Sequence, residues 1–180
     1  MEKKQGIDCV FVIPSNSKKS YQKLSETYSA IEPPTWALLL AQSIRSVNLN
    51  PKILDAAAEN LTEVEIFKKI KSMSPKLICI VVYGQNVNAG TTNMSGAVNL
   101  INYLKDNKIG KSISLIGSHA QALPKETLEK EKNIDFIFTN EGVYALRNVL
   151  KLESFTSSSL KNIKGIAYRE NNKILINQPE

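Results

Sequence analysis

The sequence predicts an α/β domain with a doubly wound parallel sheet and helices on both faces. Three observations predict it: five short apolar runs recur along the chain, stretches of helical period separate them, and a β-hairpin pattern closes it. The runs are Ile7 to Ile13, Lys52 to Asp55, Leu77 to Tyr83, Ser112 to Ile116 and Ile134 to Phe138. The first, third and fifth are nearly continuous in apolar character, as expected of strands covered on both faces. Turn residues stop them: Pro14-Ser15-Asn16 after the first, Gly84 after the third, Gly117 after the fourth and Thr139-Asn140-Glu141-Gly142 after the fifth.

Between the runs the apolar spacing is helical. Trp36, Leu39, Leu40, Ile44 and Val47 mark one stripe, with Pro33 and Pro34 near its start. Val64, Phe67 and Ile70 mark a second, and Met94, Ala97, Val98, Ile101 and Leu104 a third that opens after Thr91-Thr92-Asn93, good N-cap residues. A short helix from Pro124 to Glu131 follows, then one carrying Val143, Leu146 and Leu150. The tail, Ile163 to Tyr168, then Asn171-Asn172, then Ile174 to Ile176, reads as a hairpin with an Asn-rich turn. The expected whole is a five-stranded parallel sheet of flavodoxin- or Rossmann-like type plus a C-terminal β-hairpin, in a single domain over residues 1–180.

Composition excludes several classes. No run approaches the roughly 20 apolar residues of a membrane span, and residues 1–6 lead into a strand rather than a cleavable apolar helix. A soluble, cytoplasmic protein is the expectation, with no membrane partner. Cys9 and Cys79 each sit inside an apolar β-branched run, which reads as buried thiols on strands. With two cysteines and one histidine, His119, the chain owns too few soft ligands for a zinc or iron–sulfur site. No metal ligand and no catalytic residue is assigned. The net charge of +6 comes from scattered lysines without interleaved aromatics, so solvated helix faces are expected and not a nucleic-acid surface.

In an open α/β sheet, ligands bind outside the carboxyl ends of the strands. Four loops fall there: Pro14 to Ser17, Gly84 to Gly90, Gly117 to Ala120 and Thr139 to Gly142. They hold Gly, Ser, Asn and Gln, with Glu141 the one charged group. Such a rim offers neutral hydrogen bonds and close backbone approach, which suits holding a large polar ligand better than moving protons. The same residues also end strands in any protein, because turns need them. No Gly-x-Gly-x-x-Gly follows the first strand and no Walker-type loop occurs. Residues alone lead to a ligand-binding α/β domain.

From Pro33 to about Ile176 the chain resembles the N-terminal cobalamin-binding domain of cobalamin-dependent radical SAM enzymes of methyltransferase type. The matching pieces are Glu-Pro-Pro-Thr-Trp-Ala-Leu-Leu-Leu-Ala (32–41), Val-Val-Tyr-Gly-Gln-Asn (81–86), Ile-Gly-Ser-His-Ala-Gln-Ala-Leu-Pro (116–124), Ile-Asp-Phe-Ile-Phe-Thr-Asn-Glu-Gly (134–142) and Ile-Lys-Gly-Ile-Ala-Tyr-Arg (163–169). The resemblance implies that Pro14, Ser15, Asn16 and Ser17, with Gly84, Gln85, Asn86 and Asn88, face the corrin ring of cobalamin (vitamin B12). It implies that Gly117, Ser118, His119 and Ala120 lie along the nucleotide tail, and that Asn140, Glu141 and Gly142 close that side. Ser118 and Asn140 stand where the family pattern has glycine, which would remove backbone freedom close to the ligand. Gly117 is expected to line the cleft.

The Asp-x-His-x-x-Gly signature of domains that give cobalt a histidine is missing after the first strand. The resemblance therefore implies cobalamin held without a protein histidine ligand. In the family a second domain carries Cys-x3-Cys-x2-Cys, which binds the iron–sulfur cluster and S-adenosylmethionine; this chain has no such motif and ends at Gln178-Pro179-Glu180, about where the family's interdomain linker begins. The expected partner is thus a radical SAM catalytic domain, in cis or in trans, and the chain alone should be inactive. Two other functions fit the same residues. One is a protein-interaction domain that kept the fold and lost the cofactor. The other is a flavodoxin-like binder of FMN or a nucleotide.

Overall fold

The structure, a computed structural model, describes residues 6–14, 33–83 and 87–179, without the side chains of 87–89 and 92. Seven strands form one sheet: β1 (Cys9–Ile13), β2 (Pro51–Asp55), β3 (Leu77–Val82), β4 (Ser112–Gly117), β5 (Phe136–Phe138), β6 (Ile166–Glu170) and β7 (Lys173–Ile176). Their spatial order is β2-β1-β3-β4-β5-β6-β7. The first five are mutually parallel, while β6 runs antiparallel to β5 and β7 antiparallel to β6.

The sheet therefore has seven strands, not five. The C-terminal hairpin was expected as an addition to the sheet, and it continues it instead. Without β6 the three-residue β5 would leave its outer main-chain groups unpaired. Pairing of Phe136 with Tyr168 and of Phe138 with Ile166 satisfies them and extends the apolar surface. Asn171 and Asn172 both adopt positive φ, 48° and 63°, as a two-residue type I′ turn requires.

Alternation along the strands builds two cores. Val10, Val12, Ile78, Ile80 and Val82 face one side. Cys9, Phe11, Leu77, Cys79 and Val81 face the other. The first side is covered by α2 (Glu63–Met73), α3 (Val87–Asp106), α4 (Ser118–Ala122) and α5 (Pro124–Lys130). The second is covered by α1 (Thr35–Arg45), α6 (Val143–Lys151) and α7 (Ser157–Leu160). Both thiols are free and buried. Burial, with the adjacent Cys79 thiol adding to it, pushes the Cys9 thiol well above its ordinary range, so it stays protonated.

Three helices depart from the sequence reading, each for a packing reason. In α1 the buried face is Ala37, Leu40, Ala41 and Ile44, while Trp36 and Leu39 are exposed. The small residues at 37 and 41 let the helix lie close to the sheet, which turns the larger ones outward. In α2 the core takes Ile66 and Ile70, and Val64 stays in solvent. That register is set by a capping box in which Thr62 accepts from the Glu65 main chain and Glu65 accepts from the Thr62 N–H. Helix α3 starts at Val87, before Thr91-Thr92-Asn93, so those residues lie inside it and so does Asn88. The short helices α4 and α7 were not anticipated.

Candidate functional site

Strand order reverses direction between β1 and β3, the position at which open α/β sheets form a crevice beyond their carboxyl ends. Pro14 ends β1 here and is buried. Ser15, Asn16, Ser17, Gly84, Gln85 and Asn86 lie outside the described residues, as does the side chain of Asn88. The remaining predicted residues, 117 to 120 and 140 to 142, all fall on this edge, at the ends of β4 and β5.

Three side chains that the sequence reading did not select join them. Tyr83 follows β3 and is half-buried. Its ring stacks on Trp36 at the first turn of α1, with centroids 4.4 Å apart and planes inclined by 21°. Trp36 itself remains 38% exposed. Gln121, in α4, donates from Nε2 both to the Tyr83 hydroxyl and to the main-chain oxygen of Asn140. A continuous wall results: Trp36, Tyr83, Gln121, Asn140. It connects the loops after β3, β4 and β5 across the carboxyl edge. The signal in the sequence was present but ambiguous, since Trp36 fits a helical stripe and Tyr83 a strand end.

Burial pushes the Tyr83 phenol up to about 12; the Glu141 carboxylate adds to the rise, and the hydrogen bond from Gln121 acts against it. The phenol thus stays neutral and able to donate at physiological pH. Glu141 itself is exposed.

The predicted residues divide by what already holds them. Asn140 Oδ1 accepts from the Gly142 N–H at 2.9 Å, a local turn, and its side chain packs against Gly165, where a Cβ would come within 2.8 Å of it. Gly142 has φ +72° as the N-cap of α6, a conformation that favours glycine. Asn140 and Ser118 do not have positive φ. Ser118 and Asn140, which the resemblance sets against glycines, therefore need no left-handed backbone here. Ser118 Oγ is buried without a hydrogen-bond partner, fitted into the notch that Gly90 leaves on α3; a Cβ at Gly90 would lie 2.2 Å from it. His119 Nδ1 lies 3.2 Å from Thr91 Oγ1, joining α4 to α3.

Gly117 has a role in the sheet itself. A Cβ there would stand 2.2 Å from the main-chain oxygen of Val82, on the adjacent strand. Its absence of a side chain serves strand-to-strand contact, whatever the cleft contains. Ala120 is the buried residue of α4 and belongs to the core on that side of the sheet.

Among the described residues no group of three or more His, Cys, Asp or Glu side chains could hold a metal ion. None of the described helices is long and apolar enough to cross a membrane. A shallow hollow does exist at the opposite, amino-terminal edge, between Asp8, Leu49, Lys76 and Lys111. Two of its charged groups serve the fold: Asp8 accepts from the Asn50 N–H and Lys76 donates to the Leu150 carbonyl.

No protein-family model matches the chain. Over 142 residues it is 28% identical to an uncharacterized methyltransferase of Pyrococcus horikoshii, covering 79% of this chain and 29% of that protein. Among solved structures, it is similar to the cobalamin-dependent S-adenosylmethionine radical enzyme OxsB with aqua-cobalamin and S-adenosylmethionine bound. The TM-score is 0.70 at 20% identity, over 97% of this chain and 22% of that one. It is also similar to the radical S-adenosylmethionine methyltransferase TsrM from Kitasatospora setae with cobalamin and a [4Fe-4S] cluster bound, with a TM-score of 0.68 at 11% identity, over 96% of this chain and 29% of that one. The chain thus shares its fold with part of these larger radical SAM enzymes and spans less than a third of each relative's length.

Proposed function

We propose that this chain is a cobalamin-binding unit serving a radical SAM reaction of methyl-transfer type, whose iron–sulfur cluster and S-adenosylmethionine belong to a separate catalytic domain. The observation that carries the reading is the wall at the carboxyl edge. Trp36 and Tyr83 offer a partly open aromatic surface, and the Gln121 amide and the Tyr83 and Thr91 hydroxyls add neutral hydrogen-bonding groups. A broad ring fringed with amide arms needs this donor set: apolar area, uncharged hydrogen bonds and no competing carboxylate cluster. The fold shared with two enzymes solved with cobalamin bound supports the same reading.

Bound cobalamin would supply the cobalt that carries a methyl group. The chain's own residues hold and orient it. Trp36 and Tyr83 limit solvent at the ring, Gln121 fixes the spacing of three loops, and Gly142 and Asn140 set where the β5 loop ends. The sequence just after β1 carries no histidine, and the chain's one histidine, His119, sits beyond β4 against Thr91, so we infer that cobalamin is held without a protein histidine on cobalt.

Incubation of the protein with hydroxocobalamin, followed by gel filtration and visible absorption, tests the proposal. Corrin bands at one per chain are expected. A colourless protein would overturn it and favour the cofactor-free interaction domain, and a yellow one after incubation with FMN would favour the flavin reading.

A further inference from the structure

Gln121 uses both hydrogens of its amide inside the protein, one on the Tyr83 hydroxyl and one on the Asn140 main-chain oxygen. The second partner can only accept, so chemistry assigns the nitrogen to that side. What remains is an acceptor and a donor: the Gln121 side-chain carbonyl and the hydroxyl hydrogen of Tyr83. No hydrogen bond among the described residues takes up either. The two groups are neighbours by covalent geometry, because Oε1 shares its carbon with the nitrogen that touches Tyr83. Both side chains are half-buried and reach solvent at the carboxyl edge. Trp36 stacks on the Tyr83 ring and fixes its plane.

A fixed donor beside a fixed acceptor complements a primary carboxamide, which presents C=O and NH2 on one carbon. We propose that Tyr83 and Gln121 together read a carboxamide arm of the ligand, Tyr83 donating to its oxygen and Gln121 accepting from its nitrogen. The inference rests on the cobalamin reading, since a corrin carries such arms around its rim. It adds a selectivity: a carboxylate in the same place would turn lone pairs toward Gln121 Oε1 and be rejected. Buried polar groups discriminate in this way because the wrong ligand leaves one of them unpaired. Tyr83 keeps its proton across the working range, since burial holds its ionisation near 12.

The test uses the full chain and two corrins: cobinamide, whose arms are amides, and cobyrinic acid, whose arms are carboxylates. Affinities are read by absorbance titration for the unaltered protein and for Tyr83→Phe, which keeps the ring stacked on Trp36 and removes only the hydroxyl. The unaltered protein should prefer cobinamide by about tenfold or more, and Tyr83→Phe should narrow that preference. Tyr83→Phe, whose fold is checked by its cooperative thermal transition, should weaken cobinamide binding by about five- to tenfold. If the unaltered protein binds both corrins equally, or Tyr83→Phe binds cobinamide as tightly, this inference fails and the cobalamin reading stands. If neither corrin binds the unaltered protein, both fail together.

Discussion

Gly117 on β4 lies against the carbonyl oxygen of Val82 on β3, so close that a Cβ would stand 2.2 Å from it. The contact is between main chains, and neither strand can yield without disturbing the parallel ladder that joins them. Gly117→Ala should therefore destabilise the fold by about 1–3 kcal/mol, the range for overpacking a tight interior, as read from urea denaturation midpoints. Loss of ligand on enlarging residue 117 would report damage to the sheet, so position 117 is a poor place to probe the cleft.

Arg169 presents a second structural dependence. Its guanidinium donates to the main-chain oxygens of Leu128, Glu131 and Ile134, at and just beyond the end of α5. Burial depresses its ionisation, and nearby Asp135 opposes that effect. Those carbonyls lie in and just beyond the last turn of a helix, where partners must come from elsewhere. Arg169→Met should cost about 1.5–3 kcal/mol, the range for hydrogen bonds to a charged group. Chemical denaturation of the two proteins measures it.

The Tyr83 phenol gives the alkaline limb of stability a sign. Its ionisation is raised from the ordinary value of 10 to about 12 in the folded chain, chiefly by burial. The folded state thus holds the proton more tightly than the unfolded state. That contribution is intact below pH 10 and is lost as pH rises toward 12. Urea midpoints taken from pH 8 upward should fall less steeply above pH 10 in Tyr83→Phe than in the unaltered protein. Parallel slopes would mean that Tyr83 ionises normally.

The sheet was legible because strands covered on both faces need nearly unbroken apolar runs, and Cys9–Ile13 and Leu77–Val82 show them plainly. The Asn171-Asn172 turn was legible for a similar reason: few residues accept two successive positive φ values. Helix faces were less so. Periodicity marks a stripe, but in α1 the alanines won the core and Trp36 was left for Tyr83, a choice made by tertiary packing. The start of α3 was misplaced because Thr91 has good capping chemistry, yet in the fold its hydroxyl faces His119. The candidate site was legible as four loops and not as a wall, since Gln121 acquires its partners only when the ends of β3 and β5 come together.

Trp36 is the chain's single tryptophan, and it stands at the proposed site. Titration of its fluorescence with hydroxocobalamin is the most direct measure of the central claim, because a corrin seated against the Trp36–Tyr83 stack must quench it. The account predicts saturable quenching that ends at one corrin per chain and is absent with FMN. Unchanged emission, apart from the linear loss due to absorbance by free corrin, would contradict it.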